Sequence, residues 1–310
     1  MTANIPAYMT LGPAALHEKA TLATEALRCC TLCPRGCRVD RTSGETGYCQ
    51  TGEKAIVASS TAHFGEESPL VGTYGSGTIF FSHCNLRCNF CQNFDISHAG
   101  QGWEVDARRL ADMMLELQDQ RCHNINLVTP SHVIPQILNA LVAAAEDGLR
   151  IPVVYNSSAY DAVESLHLLD GVVDIYMPDF KFWDAGIAEQ TCQAPDYATL
   201  AMAALIEMHR QVGDLIIGED GLARRGLIVR HLVLPDGHAG TRDIMRFIAG
   251  RISRNTYVNI MPQYRPCGRA AEVPAMARAI SVREYEKALH EAHEEGITRL
   301  DPPRRVFLIH

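Results

Sequence analysis

The chain has 310 residues, enough for one large domain or one domain with a small appendage. A hydrophobic fraction of 47% and a charged fraction of 21% are globular values, which excludes a disordered or fibrous chain. The 28 basic and 36 acidic residues leave a net charge of −8, which argues against a protein that holds nucleic acid or an anionic membrane, because affinity for phosphates rests on clustered Lys and Arg. No apolar run approaches the length of a membrane span, and residues 1–16 have neither the basic nor the apolar region of a secretory signal, so a cytoplasmic location with no membrane partner is expected.

The predicted elements begin with a β-rich apolar run, Gly77–Ser82, opened by glycines. A helix follows from about Asp106 to Gln118, with Leu110, Met113, Met114 and Leu117 on one face and Asp106 as its cap. Asn124–Thr129 reads as a strand, and Ser131 is expected to cap a helix that carries Ile134, Ile137, Leu138 and Leu141 to about Gly148. The alternation continues with a strand over Pro152–Asn156, a helix over Tyr160–Leu169, a strand over Val172–Phe180 and a helix over Tyr197–Gln211. Leu227–Leu234 is then a strand, Thr241 caps a helix through Ile252, Tyr257–Gln263 is a strand, and Ser281-Val-Arg-Glu284 is a capping box that opens a last helix to about Glu295.

Strands separated by helices imply parallel pairing through right-handed crossovers. The fold class is therefore α/β, and six such units predict an open, partial (β/α)6 TIM-like barrel, too small for the eight-stranded form. The expected domains are a Cys-rich N-terminal lobe over 1–70, the barrel over 71–270, and a C-terminal helix and tail over 271–310 packed on it. Chemistry in such sheets collects at the carboxyl ends of the strands. Here that edge presents Ser82-His83-Cys84, Thr129-Pro-Ser131-His132, Asn156-Ser-Ser158, Asp179-Phe-Lys181, Arg230-His231 and Gln263-Tyr-Arg265.

Eleven cysteines are many for a chain expected in a reducing compartment, and an odd count opposes a disulfide framework. They fall into two groups. Cys84-x3-Cys88-x2-Cys91 follows the first barrel strand at once, and three thiolates from one loop would leave one iron of a cubane cluster without a protein ligand, whereas structural zinc takes four. Cys30-x2-Cys33-x3-Cys37, with Cys49 after eleven residues and Gly44 and Gly47 to turn the chain, supplies four ligands for a second site, either zinc or an iron-sulfur cluster; Cys29 is spare. Cys122, Cys192 and Cys267 stand singly and read as small buried hydrophobes.

The octapeptide Cys84-Asn-Leu-Arg-Cys88-Asn-Phe-Cys91 resembles the signature loop of the radical S-adenosylmethionine superfamily. Cys91-Gln-Asn93 and the run from Phe64-Gly-Glu-Glu67 to Phe81 resemble the branch related to pyruvate formate-lyase activating enzyme, in its PflX-like group. The resemblance implies a [4Fe-4S] cluster on Cys84, Cys88 and Cys91, with S-adenosyl-L-methionine chelating the fourth iron and Phe90 near its adenine. It implies an enzyme of oxidoreductase type: one electron cleaves the sulfonium, and a 5′-deoxyadenosyl radical takes hydrogen from a substrate that the sequence does not name. An external one-electron donor such as flavodoxin or ferredoxin is then required.

Asp179 and Lys181 resemble the Asp-x-Lys that lies by the cofactor in glycyl-radical activating enzymes, with a plain ion pair as the alternative. Arg230 resembles an arginine of related activases and could reach a carboxylate; with Asp179 and Lys181 it makes up the expected catalytic set. Asn156 matches the Asn of a strand motif from which Tyr155 and Ser157 depart, and Gln263 shares a polar strand face with Asn259 and Arg265. After the second barrel strand Pro130 lacks an N–H, so Thr129, Ser131 or a carbonyl would have to serve the cofactor's amine. His132 is either a proton donor or a histidine without a catalytic part. Two other functions compete: an activase that installs a glycyl radical on a partner protein or peptide, and a non-catalytic iron-sulfur carrier or metal scaffold.

Overall fold

The computed structural model describes residues 5–302; the ends of the expected N- and C-terminal segments, 1–4 and 303–310, lie outside the described residues. Two helices come first, α1 (Ala7–Leu11) and α2 (Pro13–Glu25), followed by the first cysteine-bearing loop and strand β1 (Ala55–His63). A short helix α3 (Ser68–Val71) leads to β2 (Ser76–Phe81), the second cysteine loop, α4 (Phe94–Ser97) and β3 (Trp103–Val105). Alternation then sets in with α5 (Ala107–Asp119), β4 (Ile125–Val128), α6 (Ile134–Glu146), β5 (Val153–Asn156), α7 (Val163–Leu169) and β6 (Ile175–Tyr176). Helices α8 (Ala185–Cys192) and α9 (Tyr197–Val212), strands β7 (Ile216–Ile217) and β8 (Ala223–Leu232), α10 (Thr241–Phe247), β9 (Tyr257–Met261) and α11 (Val282–Glu294) complete the chain.

One mixed sheet organises these elements. Strands β2, β4, β5, β6, β8 and β9 are neighbours in that order and all parallel. Strand β1 adds antiparallel to β2, β3 to β1, and β7 to β8. The sheet is open: among the described residues its two edges are not paired with one another. Side chains reach across instead, where Asn259 of β9 donates to Glu67 at 2.9 Å. Among the described residues no helix is long and apolar enough to cross a membrane.

Local chemistry explains most of the helices. The Asp106 carboxylate accepts from Arg109 N at 2.8 Å and starts α5, whose Leu110, Met113, Met114 and Leu117 are all buried. Ser281 and Glu284 form the reciprocal capping box of α11. Helix α6 is apolar nearly all round because α2 covers one side and α5 another.

Several expectations are corrected. The helix expected from Ser131 starts at Ile134, because Pro130 and Pro135 set the entry and Ser131 turns into the interior. Thr241 is not the cap of α10 but its first residue, behind Gly240 at φ +73, with its hydroxyl on His231 Nε2 at 2.9 Å. The strand expected over Val172–Phe180 pairs regularly only at Ile175–Tyr176: Pro178 has no N–H for the ladder, and pairing resumes as a single bridge from Asp179 to Arg230. Within the segment expected as a lobe over 1–70, the described residues place α2 on α6 and hydrogen-bond β1 to β2. Beyond α11 the chain returns to the sheet edge, Val258 N donating to Arg299 O and Asp301 N to Val258 O.

Candidate functional site

The carboxyl ends of the parallel strands surround a cavity of about 410 Å³. Cys84, Cys88 and Cys91 border it on the β2 side, and Thr129, Asn156, Asp179, Lys181, Arg230 and Gln263 border it from β4 through β9. Of the residues expected around this cleft, Ser131 lies off the lining, and His132 borders the first cysteine group instead. Ser131 is buried beside Tyr155 and Asp161, whose carboxylate accepts from the Tyr155 hydroxyl at 2.9 Å and the Ser157 hydroxyl at 2.6 Å.

The thiol loop is shaped by tight turns. His83 (φ +67) and Arg87 (φ +53) both stand in the left-handed region immediately before a cysteine, which turns Cys84 and Cys88 out of the line of β2. Leu86 N donates to Cys84 Sγ at 3.3 Å. Burial pushes the Cys84 thiol up to about 12, with the neighbouring Cys88 adding to it. The Cys88 thiol is pushed well up, first by its hydrogen bond with Cys192 and then by burial, and Cys91 is raised by burial. Three such thiols on one short loop ionise together only against a strong positive centre. Phe90 forms an apolar wall, edge-on to Phe182 and to Tyr264, each at 5.8 Å.

Opposite the thiols lies a buried charge array. Asp179 Oδ2 accepts from Lys181 Nζ at 2.5 Å, Asp179 Oδ1 from Arg230 Nε at 2.6 Å, and Asn156 Oδ1 from Arg230 Nη2 at 2.7 Å. Burial works against every charge here, yet Arg230 and Lys181 hold the Asp179 carboxyl below its usual range, and Asp179 with Cys88 holds Lys181 above its own. This is no exposed surface pair: Asp179, Lys181 and Arg230 side chains are 13%, 15% and 18% accessible.

Two acids absent from the expected site complete the array. Glu66 sits 3.9 Å and Glu67 4.0 Å from Arg230. Burial pushes Glu67 up and leaves its Oε2 without a hydrogen-bond partner, whereas His63 at 2.8 Å and Arg230 outweigh burial and hold Glu66 down. The sequence signals for them are two adjacent acids ahead of β2 and their place in the run from Phe64 to Phe81 that carries the resemblance, and nothing local tells such a pair from a solvated one. Thr129 also stands out, a β-branched residue at φ +61 whose N–H donates to Asn156 O at 2.9 Å.

The first cysteine group forms a separate, tighter site. Cys30, Cys33, Cys37 and Cys49 border one cavity of about 10 Å³ together with Arg41 and His132. Burial pushes the Cys33 thiol up to about 12, against a hydrogen bond from the Arg35 backbone, and the three neighbouring thiols add to the rise. Buried Arg41 donates to Cys30 Sγ at 3.9 Å and to His132 O at 2.8 Å. Gly44 turns at φ +90, and Gly47 lies against Cys37, where a Cβ would meet the sulfur at 2.7 Å. His132 donates through Nε2 to Ser82 O at 2.9 Å, is held neutral by burial, and has a buried Nδ1 with no partner. Cys29 is exposed; Cys122 and Cys192 are buried and Cys267 half-buried. Among the described residues, no three Cys, His, Asp or Glu side chains converge as ligands of a single ion.

No family model matches the chain. Over 293 residues it is 32% identical to the uncharacterized protein MJ0674 of Methanocaldococcus jannaschii, a match that covers 92% of this chain and 80% of the archaeal one.

Proposed function

The chain belongs to the same family as that archaeal protein, and from this premise we propose that it is a radical S-adenosylmethionine enzyme of the PflX-like kind, built on a partial (β/α)6 barrel. The observation that carries the reading is the juxtaposition, across one cleft, of three thiols from a single loop, Cys88 buried and Cys84 and Cys91 half-buried, and the array of Asp179, Lys181, Arg230 and Asn156. When bound, a [4Fe-4S] cluster with S-adenosyl-L-methionine would supply one-electron cleavage of the sulfonium and hydrogen abstraction from the substrate, with an external flavodoxin- or ferredoxin-type donor.

The residues present fit that group. Thiolates on a cubane stand on separate irons, farther apart than ligands of one ion, which suits a loop whose thiols border the cleft without converging. Phe90 offers an apolar face to an adenine, and Asp179 offers acceptor oxygens to ribose hydroxyls. Lys181 and Arg230 match a carboxylate, while the strained Thr129 backbone and Gln263 border the same space. Glu66, whose carboxyl His63 and Arg230 hold below its usual range, borders the same cleft and can accept a hydrogen bond from a polar substrate group. Four thiols round one small cavity, with the Arg41 guanidinium on Cys30, suit a second iron-sulfur centre at Cys30, Cys33, Cys37 and Cys49, whose ligands stand on separate irons; the zinc alternative would require the four to close further on one ion.

Anaerobic reconstitution with iron and sulfide, then reduction by dithionite with S-adenosyl-L-methionine, is expected to yield 5′-deoxyadenosine. A fully loaded cluster that gives none, or that has a fourth side-chain ligand by spectroscopy, sinks the reading. Metal analysis of the same material should show about four irons with one zinc, or about eight irons.

A further inference from the structure

Arg35 lies between the second and third thiols of the first group, yet its guanidinium serves the second. Its Nε donates to Asn85 O at 2.9 Å and its Nη2 to Leu86 O at 3.4 Å, both between Cys84 and Cys88. The same head donates to Cys192 O at 2.8 Å and Gln193 O at 2.6 Å, at the end of α8 and behind the thiol that bonds Cys88. Tyr48, next to Cys49, stacks on it at 3.8 Å and accepts through its own carbonyl from Arg87 at 3.1 Å. One planar fork therefore ties four carbonyls to the first cysteine group, a geometry that a lysine ammonium cannot reproduce.

We propose that Arg35 is a positioning residue, the strut by which the Cys30–Cys49 group holds the Cys84–Cys91 loop in shape. The left-handed turns at His83 and Arg87 are costly conformations that persist only where their surroundings over-determine them. Arg35 supplies that constraint from outside the sheet, and the first group fixes Arg35 by closing the chain on both sides of it. The importance of the loop rests on the function proposed above, but the test reads loop order rather than turnover, so absence of S-adenosylmethionine cleavage would leave this inference standing.

The test is amide hydrogen exchange on the full-length protein under anaerobic conditions. In Arg35→Ala, exchange at residues 84–92 should quicken about tenfold or more, as expected for loss of charge-assisted hydrogen bonds, while 107–119 and 134–146 stay as in the wild type. Arg35→Lys should restore only a small part of the protection. Cys33→Ser should loosen the same segment, and the double variant Cys33→Ser/Arg35→Ala should be no looser than Arg35→Ala alone. Unchanged exchange at 84–92, uniform loosening of the whole chain, full rescue by lysine, or additive effects in the double variant would each overturn the proposal.

Discussion

Cys30, Cys33, Cys37 and Cys49 border a cavity of about 10 Å³, whereas Cys84, Cys88 and Cys91 border one of about 410 Å³ that also takes in Asn156, Asp179, Lys181 and Arg230. Burial raises thiols in both regions, to about 12 for Cys33 and for Cys84. What differs is the company they keep. The first group has four thiols, one buried guanidinium and almost no free volume, an arrangement that can clamp chain segments but leaves no room for a reacting molecule. The second has three thiols, a wide polar cleft and groups on the opposite wall able to orient an organic ligand. Cysteine spacing groups the thiols alike in both regions, and enclosed volume with opposing charge separates a closed cluster from a cleft that can admit an organic ligand.

The largest effect expected from breaking this contrast is at Cys88. Cys88→Ser should reduce 5′-deoxyadenosine formation to background and lower the iron content of anaerobically reconstituted protein, while any metal at the first group stays in place. Loss of metal from both groups together would merge the two regions into one site.

Arg230→Ala comes next. It leaves Asp179 with Lys181 and Glu66 with His63 as their remaining charged partners, and removal of one partner from a buried ion network costs about 3–5 kcal/mol. The fall should be read from urea midpoints at neutral pH, with Arg230→Met milder at acid pH, where the under-compensated carboxylates can protonate. An unchanged midpoint would mean that the array is solvated and the contrast in charge unimportant.

A smaller effect is expected at Gly47→Ala, whose Cβ meets Cys37 Sγ at 2.7 Å. Overpacking of this kind costs about 1–3 kcal/mol and should weaken metal retention at the first group, measured by chelator competition, without changing the iron taken up by the second.

The smallest is a change in acid dependence, read relative to each protein's own midpoint at neutral pH, since Asp179→Asn also takes from Lys181 and Arg230 the carboxylate they share. Asp179 is held below its ordinary value of 3.8, so its contribution to stability is present above that value and lost as pH falls through the depressed one. In Asp179→Asn this acid limb should flatten in a pH series of urea midpoints. A limb of unchanged steepness would shift the acid sensitivity to Glu66, whose carboxyl is also held down.

Much of the architecture was legible before any coordinates. The stripe Leu110–Leu117, the caps at Asp106 and Ser281, and the strand-helix alternation from β2 to β9 depend on neighbours within a few residues, which sequence periodicity reports directly. Helix α2 was missed because its buried face is Leu16, Ala20 and Ala23, small residues with little hydrophobic contrast. Strands β1 and β3 carry little alternation in the sequence because their ladders are antiparallel additions to the parallel sheet, with β1 half-buried at most positions and β3 exposed at Trp103 and Glu104. The chain order of Thr129, Asn156, Asp179, Arg230 and Gln263 placed them at successive strand ends, and parallel pairing was enough to bring them round one cleft.

Distance along the chain marks where that legibility stopped. Spacing alone defined the two cysteine groups, the class of fold and the polar strand ends, because those depend on residues a few positions apart. Packing decided that Ser131 turns inward, that Glu66 and Glu67 close on Arg230, and that Arg35 reaches the carbonyls of Asn85 and Cys192. These contacts join segments 50 to more than 150 residues apart; their strength depends on burial and on the angle between elements, which exist only once the sheet has assembled.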